Sequence, residues 1–267
     1  SLKRKKGSLL WLLDNTKTSM GARKMRLFID NPLRDVTQIN YRLDGVQELM
    51  QNIMIQDDLV NAMESILDIE RKCSKISANT ILPKECLALA DSLKKIPQLK
   101  NVLSNFNSPI LKSINEQITD LSEIANMLID AINPECTSNM KDGGYIKKGF
   151  SQELDQTRMA SEYGKQWLAE LEINERERTG IKHLKTGYNK VFGYYIEISK
   201  TGLSQIPDNY IRKQTMTTGE RFITPELKEM EYKILNSVEE SLKIETQIYS
   251  DIKATLLSYI SPKCLKH

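Results

Sequence analysis

A chain of 267 residues, 40% hydrophobic and 27% charged, can hold one large domain or two smaller ones, and this make-up excludes a disordered or disulfide-dense secreted protein. The net charge of +3 is too small to imply a nucleic-acid partner by itself, so that reading must rest on how charge is distributed. No apolar run approaches the ~20 residues that span a bilayer, nothing resembles a signal peptide, and the four scattered cysteines (Cys73, Cys86, Cys136, Cys264) have no CxxC pair, which reads as a cytosolic protein with reduced, non-metal thiols.

The chain starts at Ser1 rather than Met, as a fragment would. A helix is expected from near Met20 until Pro32 breaks it after Asn31, and a second from Asp35-Val36-Thr37, with Ile39, Leu43, Val46 and Leu49 at helical spacing. Asp57 to Lys75 repeats that pattern, Pro83 opens another helix, Pro97 and Pro109 punctuate, and Ile110 to Ile132 reads as one further amphipathic run. Trp11 and Trp167 are expected to be core anchors at helix contacts. No fixed repeat is present, so these elements predict a bundle rather than a solenoid.

Asp142-Gly143-Gly144 is a turn signal, with Tyr145–Lys148 as a short strand beside it. Ser151 caps a helix that runs to Gly180, ~27 residues and ~40 Å long. A second long helix is expected from Pro225 to about Tyr259, with a seam from Leu227 through Met230, Ile234, Val238, Leu242, Ile248 and Ile252 to Leu256. Between them the aromatic and β-branched run from Tyr188 to Ile198 signals strands, and Gly187–Lys190 signals a turn. The expected strands are Lys182–Tyr188, Val191–Ser199, Tyr210–Thr217 and Glu220–Ile223. The fold class that follows is mainly α: a helical core bundle and two long antiparallel helices carrying an inserted small antiparallel β module.

Little catalytic chemistry is on offer. His183, the one interior histidine, lies between lysines with no acidic neighbour and reads as a surface residue. Asp57-Asp58 and Glu239-Glu240 read as solvated helix faces rather than metal ligands. A GxxxxGK[ST] phosphate loop is absent, so no nucleotide hydrolysis is expected of this chain. The module is different. From Ile181 to Ile223 seven basic residues (Lys182, Lys185, Lys190, Lys200, Arg212, Lys213, Arg221) face three acids (Glu197, Asp208, Glu220), a surplus of four that exceeds the whole chain's net charge. Asn189, Gln214, Thr215, Thr217 and Thr218 add donors suited to phosphate oxygens. Composition alone leaves this open against lysines that merely guard exposed sheet edges.

Several ordered stretches resemble the MutS family of DNA mismatch-recognition proteins. They are GSLLWLLDNTKTSMGARKMRLFIDNPLRD from Gly7, DIER (Asp68–Arg71), DGGYIKKGFSQELD (Asp142–Asp155), RERTGIKHLKTGYNKVFGYYIEIS (Arg176–Ser199), YIRKQT (Tyr210–Thr215) and ERFITPELKE (Glu220–Glu229). The resemblance implies residues 1–171 as helical core and first lever helix, 172–234 as clamp, and 235–267 as returning lever helix. It implies that the clamp grips the backbone of duplex DNA without reading sequence, while the lever relays conformational change to an ATPase. ATP and Mg belong to the intact family protein and none is expected in this fragment. A second copy and downstream repair proteins would be partners of the intact protein, the fragment itself being monomeric. In a bacterium the location would be cytoplasmic and nucleoid-associated. Neither the Phe-x-Glu mismatch wedge nor the nucleotide loop is present, and Thr217 stands where many relatives carry lysine. The residues expected at phosphates are Lys185, Asn189, Lys190, Lys200, Arg212, Lys213, Thr217 and Thr218. The rival expectation is a helical scaffold for protein contacts with no DNA affinity, motivated by the Leu227–Leu256 seam.

Overall fold

Side-chain caps open several of the helices in the computed structural model, which describes residues 7–137 and 139–264. The described residues divide into two compact units, one within Ser1–Lys147 and Tyr249–His267, the other Lys148–Ile248.

The first unit holds α1 (Leu9–Leu13), α2 (Ser19–Asp30), α3 (Val36–Gln51), α4 (Ile53–Glu64), α5 (Ile69–Ser77), α6 (Pro83–Leu93), α7 (Ile96–Leu103), α8 (Pro109–Gln117) and α9 (Ser122–Ala131). Thr18 and Asp35 cap α2 and α3 by accepting from the Gly21 and Thr37 amides at 3.0 and 2.8 Å. Two runs that read as single helices are broken. Asp57 to Lys75 divides into α4 and α5, because Asp68 turns its carboxylate onto the Arg71 amide and starts a new helix. Ile110 to Ile132 divides likewise, Asp120 accepting from the Ser122 amide at 2.9 Å. One core cluster gathers Leu59, Leu103, Phe106 and Leu111, with Met63 and Ile110 packed against it. Trp11 does not join a core: it is 47% exposed. The strand expected at Tyr145–Lys148 reduces to one antiparallel bridge, Ile132 to Ile146.

In the second unit α10 (Gln152–Thr179) is capped by Ser151 and ends at Gly180, whose φ of +71° is the left-handed stop that glycine adopts without strain. Helix α11 (Pro225–Cys264) starts at Thr224, whose hydroxyl accepts from the Leu227 amide, and runs past the expected end near Tyr259. The two helices are antiparallel within this unit. Gly164 sits under Ile234, where a Cβ would lie 2.3 Å from Ile234 Cγ1, and Arg158 pairs with Glu245 at 2.5 Å. Leu227 and Ile234 bury as the seam predicted, whereas Val238 is 46% exposed.

Between α10 and α11 lie β1 (Leu184–Asn189), β2 (Gly193–Ser199), β3 (Ile211–Thr215) and β4 (Gly219–Ile223), antiparallel in the order β1-β2-β4-β3. Period-two alternation sends Leu184, Ile196, Ile198 and Phe222 into a core with Leu168, Leu171, Leu227 and Ile234; Trp167 packs against it. Gly187–Asn189 is strand, not turn: Gly187 lies beneath the Tyr195 ring, where a Cβ would be 2.7 Å from Cζ, and the turn falls at 190–192. Thr217 likewise leaves β3 for the turn before Gly219.

Candidate nucleic-acid interface

Register decides where the basic residues stand. Leu184 pairs with Ile198 and Asn189 with Gly193, so the β1–β2 turn and the Ser199 end of β2 lie at opposite ends of the sheet, roughly 20 Å apart at ~3.3 Å per residue. The turn lies back along α11, where Lys228 Nζ donates to Phe192 O at 2.6 Å. The other end carries Ser199 paired with Gly219, the Thr217–Thr218 turn and the 3-10 segment Lys200–Gln205. It lies toward the C-terminal end of α10: Arg176 Nε donates to Leu184 O at 2.7 Å where β1 starts, and Glu172, a turn earlier in the helix, accepts from Thr186.

That leading edge brings together Lys200, Thr217 and Thr218, all exposed, with the Lys200 amide donating to Thr218 O at 3.3 Å. Lys185, also exposed, stands opposite Glu197, two residues along β2 from Ser199. Asn189 and Lys190 are not part of it. They occupy the opposite end, where Asn189 Oδ1 accepts from the Val191 amide at 2.8 Å and so shapes the turn. Arg212 and Lys213 lie on edge strand β3 at its bulge, both exposed, and Arg212 reaches Glu220 at 3.4 Å.

Ion pairing then sorts the seven cations. Arg221 is held by Glu197 at 2.8 Å, donates to Gln214 Oε1 at 3.1 Å and stacks over the Tyr195 ring at 4.2 Å. With Arg212 and Arg221 engaged, the remaining five of the seven, Lys182, Lys185, Lys190, Lys200 and Lys213, have no carboxylate at ion-pair distance among the described residues. Lys182 is exposed beside the leading edge, just after buried Ile181, whose side chain packs under Gly202. Sequence reasoning counted its charge but did not place it in the site; its signal was adjacency to Gly180, the helix stop that puts residue 182 at that end.

The helices supply carboxylates to the module from behind. Glu172 accepts from the Thr186 amide and hydroxyl at 2.7 and 2.9 Å; burial lifts its pKa, but those bonds with Arg176 and Lys185 outweigh it and the net shift is downward. Glu175 is lowered by Arg178 first, against burial, and accepts from the Tyr210 hydroxyl at 2.6 Å. Exposed His183 has no carboxylate at ion-pair distance, and no group of three His, Cys, Asp or Glu residues could hold a metal among the described residues. Lysine ammonium groups, hydroxyls and backbone amides on an exposed edge can hold phosphate oxygens but carry no base readout.

The family profile described as MutS domain III matches residues 1–263. The chain is 45% identical over 252 residues to the DNA mismatch repair protein MutS of Clostridium novyi (strain NT), covering 94% of this chain and 28% of that protein. It is 45% identical over 258 residues to the MutS of Alkaliphilus oremlandii (strain OhILAs), covering 97% and 29%, and 46% identical over 259 residues to that of Clostridium perfringens (strain ATCC 13124), covering 97% and 28%. The chain thus spans less than a third of the length of these curated relatives.

Proposed function

The chain belongs to the MutS domain III family, and on that premise we propose that it is the part of a mismatch repair protein that grips duplex DNA by its phosphates and relays conformational change along its long helices. The observation that carries the reading is the sorting of charge: the arginines of the sheet are paired, while five lysines are left to solvent. In this reading the chain performs no turnover and holds no nucleotide or metal. ATP with its Mg, a second copy and downstream repair proteins are partners of a longer protein.

A duplex titration by fluorescence anisotropy at several salt concentrations tests it. Contact through Lys182, Lys185 and Lys200 gives a log–log slope near −2.7, at about −0.9 per phosphate. Lys200→Glu is expected to weaken binding and flatten that slope, and Lys190→Glu to do so less. Absence of salt-dependent binding at low ionic strength would remove the reading. The scaffold alternative is favoured by Leu235 and Val238, 44% and 46% exposed on α11; it predicts self-association in light scattering with no DNA affinity.

A further inference from the structure

Carboxylates next to a phosphate-binding edge are a puzzle, because each one repels the ligand. Three of them, Glu172 and Glu175 on α10 and Glu231 on α11, stand directly behind the sheet. Each is spent on a different part of it. Glu172 takes the Thr186 amide and hydroxyl of β1. Glu231 takes the Tyr194 amide of β2 at 3.3 Å, and is itself held by Lys228 at 2.8 Å, which also donates to Phe192 O. Glu175 takes the hydroxyl of Tyr210, the residue before β3, whose ring packs on Phe222 at 5.8 Å. The fourth strand, β4, continues through Thr224 into α11. Every strand is therefore fastened to a long helix, by a carboxylate or by the chain itself.

We propose that Glu172, Glu175 and Glu231 are positioning residues that fix the sheet on the helix pair and so aim its leading edge at the phosphates. The proposal rests on the DNA-binding reading above and adds what orients the site. Thr186 lies on edge strand β1, and its amide is turned toward Glu172 rather than toward water, so the same carboxylate covers an exposed edge. Side-chain carboxylates accepting backbone amides form charge-assisted hydrogen bonds, stronger than neutral ones and specific in direction. A sheet held this way moves with the helices instead of swivelling on two loops.

The test exploits a difference in sign. Removing a carboxylate near a cationic edge strengthens phosphate binding if charge is all that matters. If the carboxylate positions the sheet, its removal weakens binding. Glu231→Ala and Glu172→Ala are compared in the 267-residue chain with Glu229→Ala, which deletes an exposed carboxylate two residues from Glu231 that, among the described residues, pairs with Lys233. The proposal expects duplex affinity to fall about threefold to thirtyfold in the first two variants, with an unchanged salt slope because no phosphate contact is lost. It expects Glu229→Ala to leave affinity equal or higher. Glu231→Gln, which keeps an acceptor oxygen without the charge, is expected to restore affinity to the wild-type level or above. Hydrogen exchange at the Tyr194 and Thr186 amides should quicken by about tenfold in the respective alanine variants. Affinity that rises as in Glu229→Ala, or unchanged exchange, overturns the proposal. Circular dichroism checks folding; where an alanine variant unfolds, Glu231→Asp takes its place, keeping the charge but shortening the reach, and wild-type affinity there overturns the proposal. If the wild-type chain binds no duplex, the DNA reading falls, and the exchange rates alone judge the fastening.

Discussion

The cations that join elements of the helical unit differ from the five lysines between 181 and 223 in the sheet module. In the helical unit, Lys72 and Lys75 converge on Glu85 at 2.7 Å each, Arg23 on α2 grips Asp68 ahead of α5, and Lys100 Nζ ties off the carbonyls of Asn115 and Ile118 at the end of α8. Each of these cations joins two elements or finishes one. In the sheet module the arginines behave the same way, Arg221 across three strands and Arg212 across two, but the lysines do not. A cation used by the fold contributes to stability. One left to water contributes little, and its purpose lies in a partner.

That contrast can be broken or sharpened by substitutions that separate stability from binding. The largest effect is expected in the helical core: Phe106→Ala, at a side chain 1% exposed, should cost about 3–5 kcal/mol in urea denaturation while leaving duplex affinity intact at temperatures where the variant is folded. A loss of affinity in the folded variant would show that the two roles are not divided between the units.

A smaller effect follows acidification. Burial lifts the Glu85 carboxyl, but its bonds to Lys72 and Lys75 prevail and bring it to about 2 from an ordinary 4.5. A depressed folded pKa stabilises the protein fully above the unfolded value, and that stabilisation drains as pH falls toward the folded one. Urea midpoints measured downward from about pH 5 should therefore drop toward pH 2, and Glu85→Gln, less stable at neutral pH, should flatten that limb. The smallest effect on stability is expected at the leading edge, where Lys200→Glu should shift folding free energy by no more than about 0.5 kcal/mol while changing DNA affinity.

Much of this architecture is legible in the residues themselves. Ser151 and Gly180 mark both ends of α10, and Thr224 and Pro225 the start of α11, because caps and left-handed stops are local chemistry. The divisions between α4 and α5 and between α8 and α9 are not legible by periodicity, since apolar residues continue across both gaps and the break is made by single carboxylates, Asp68 and Asp120. Gly187 has the sequence of a turn glycine, yet it is a strand residue whose missing Cβ leaves space for the ring of Tyr195, its cross-strand partner. The basic character of the module is a matter of composition and can be counted. Which arginines are neutralised depends on cross-strand register, Glu197 opposite Arg221, and no count supplies that. Register also separates Lys190 from Lys200, which composition placed in one patch.

Helix α11 is a single 40-residue helix, yet residues before and after position 248 pack into different units. Its interior from Glu226 to Ser261 contains neither glycine nor proline, the residues at which helices ordinarily interrupt. A chain cut after position 248 would therefore keep the share of α11 that belongs to the sheet-bearing unit and would take buried Tyr249, Ile252 and Leu256 away from the helical one.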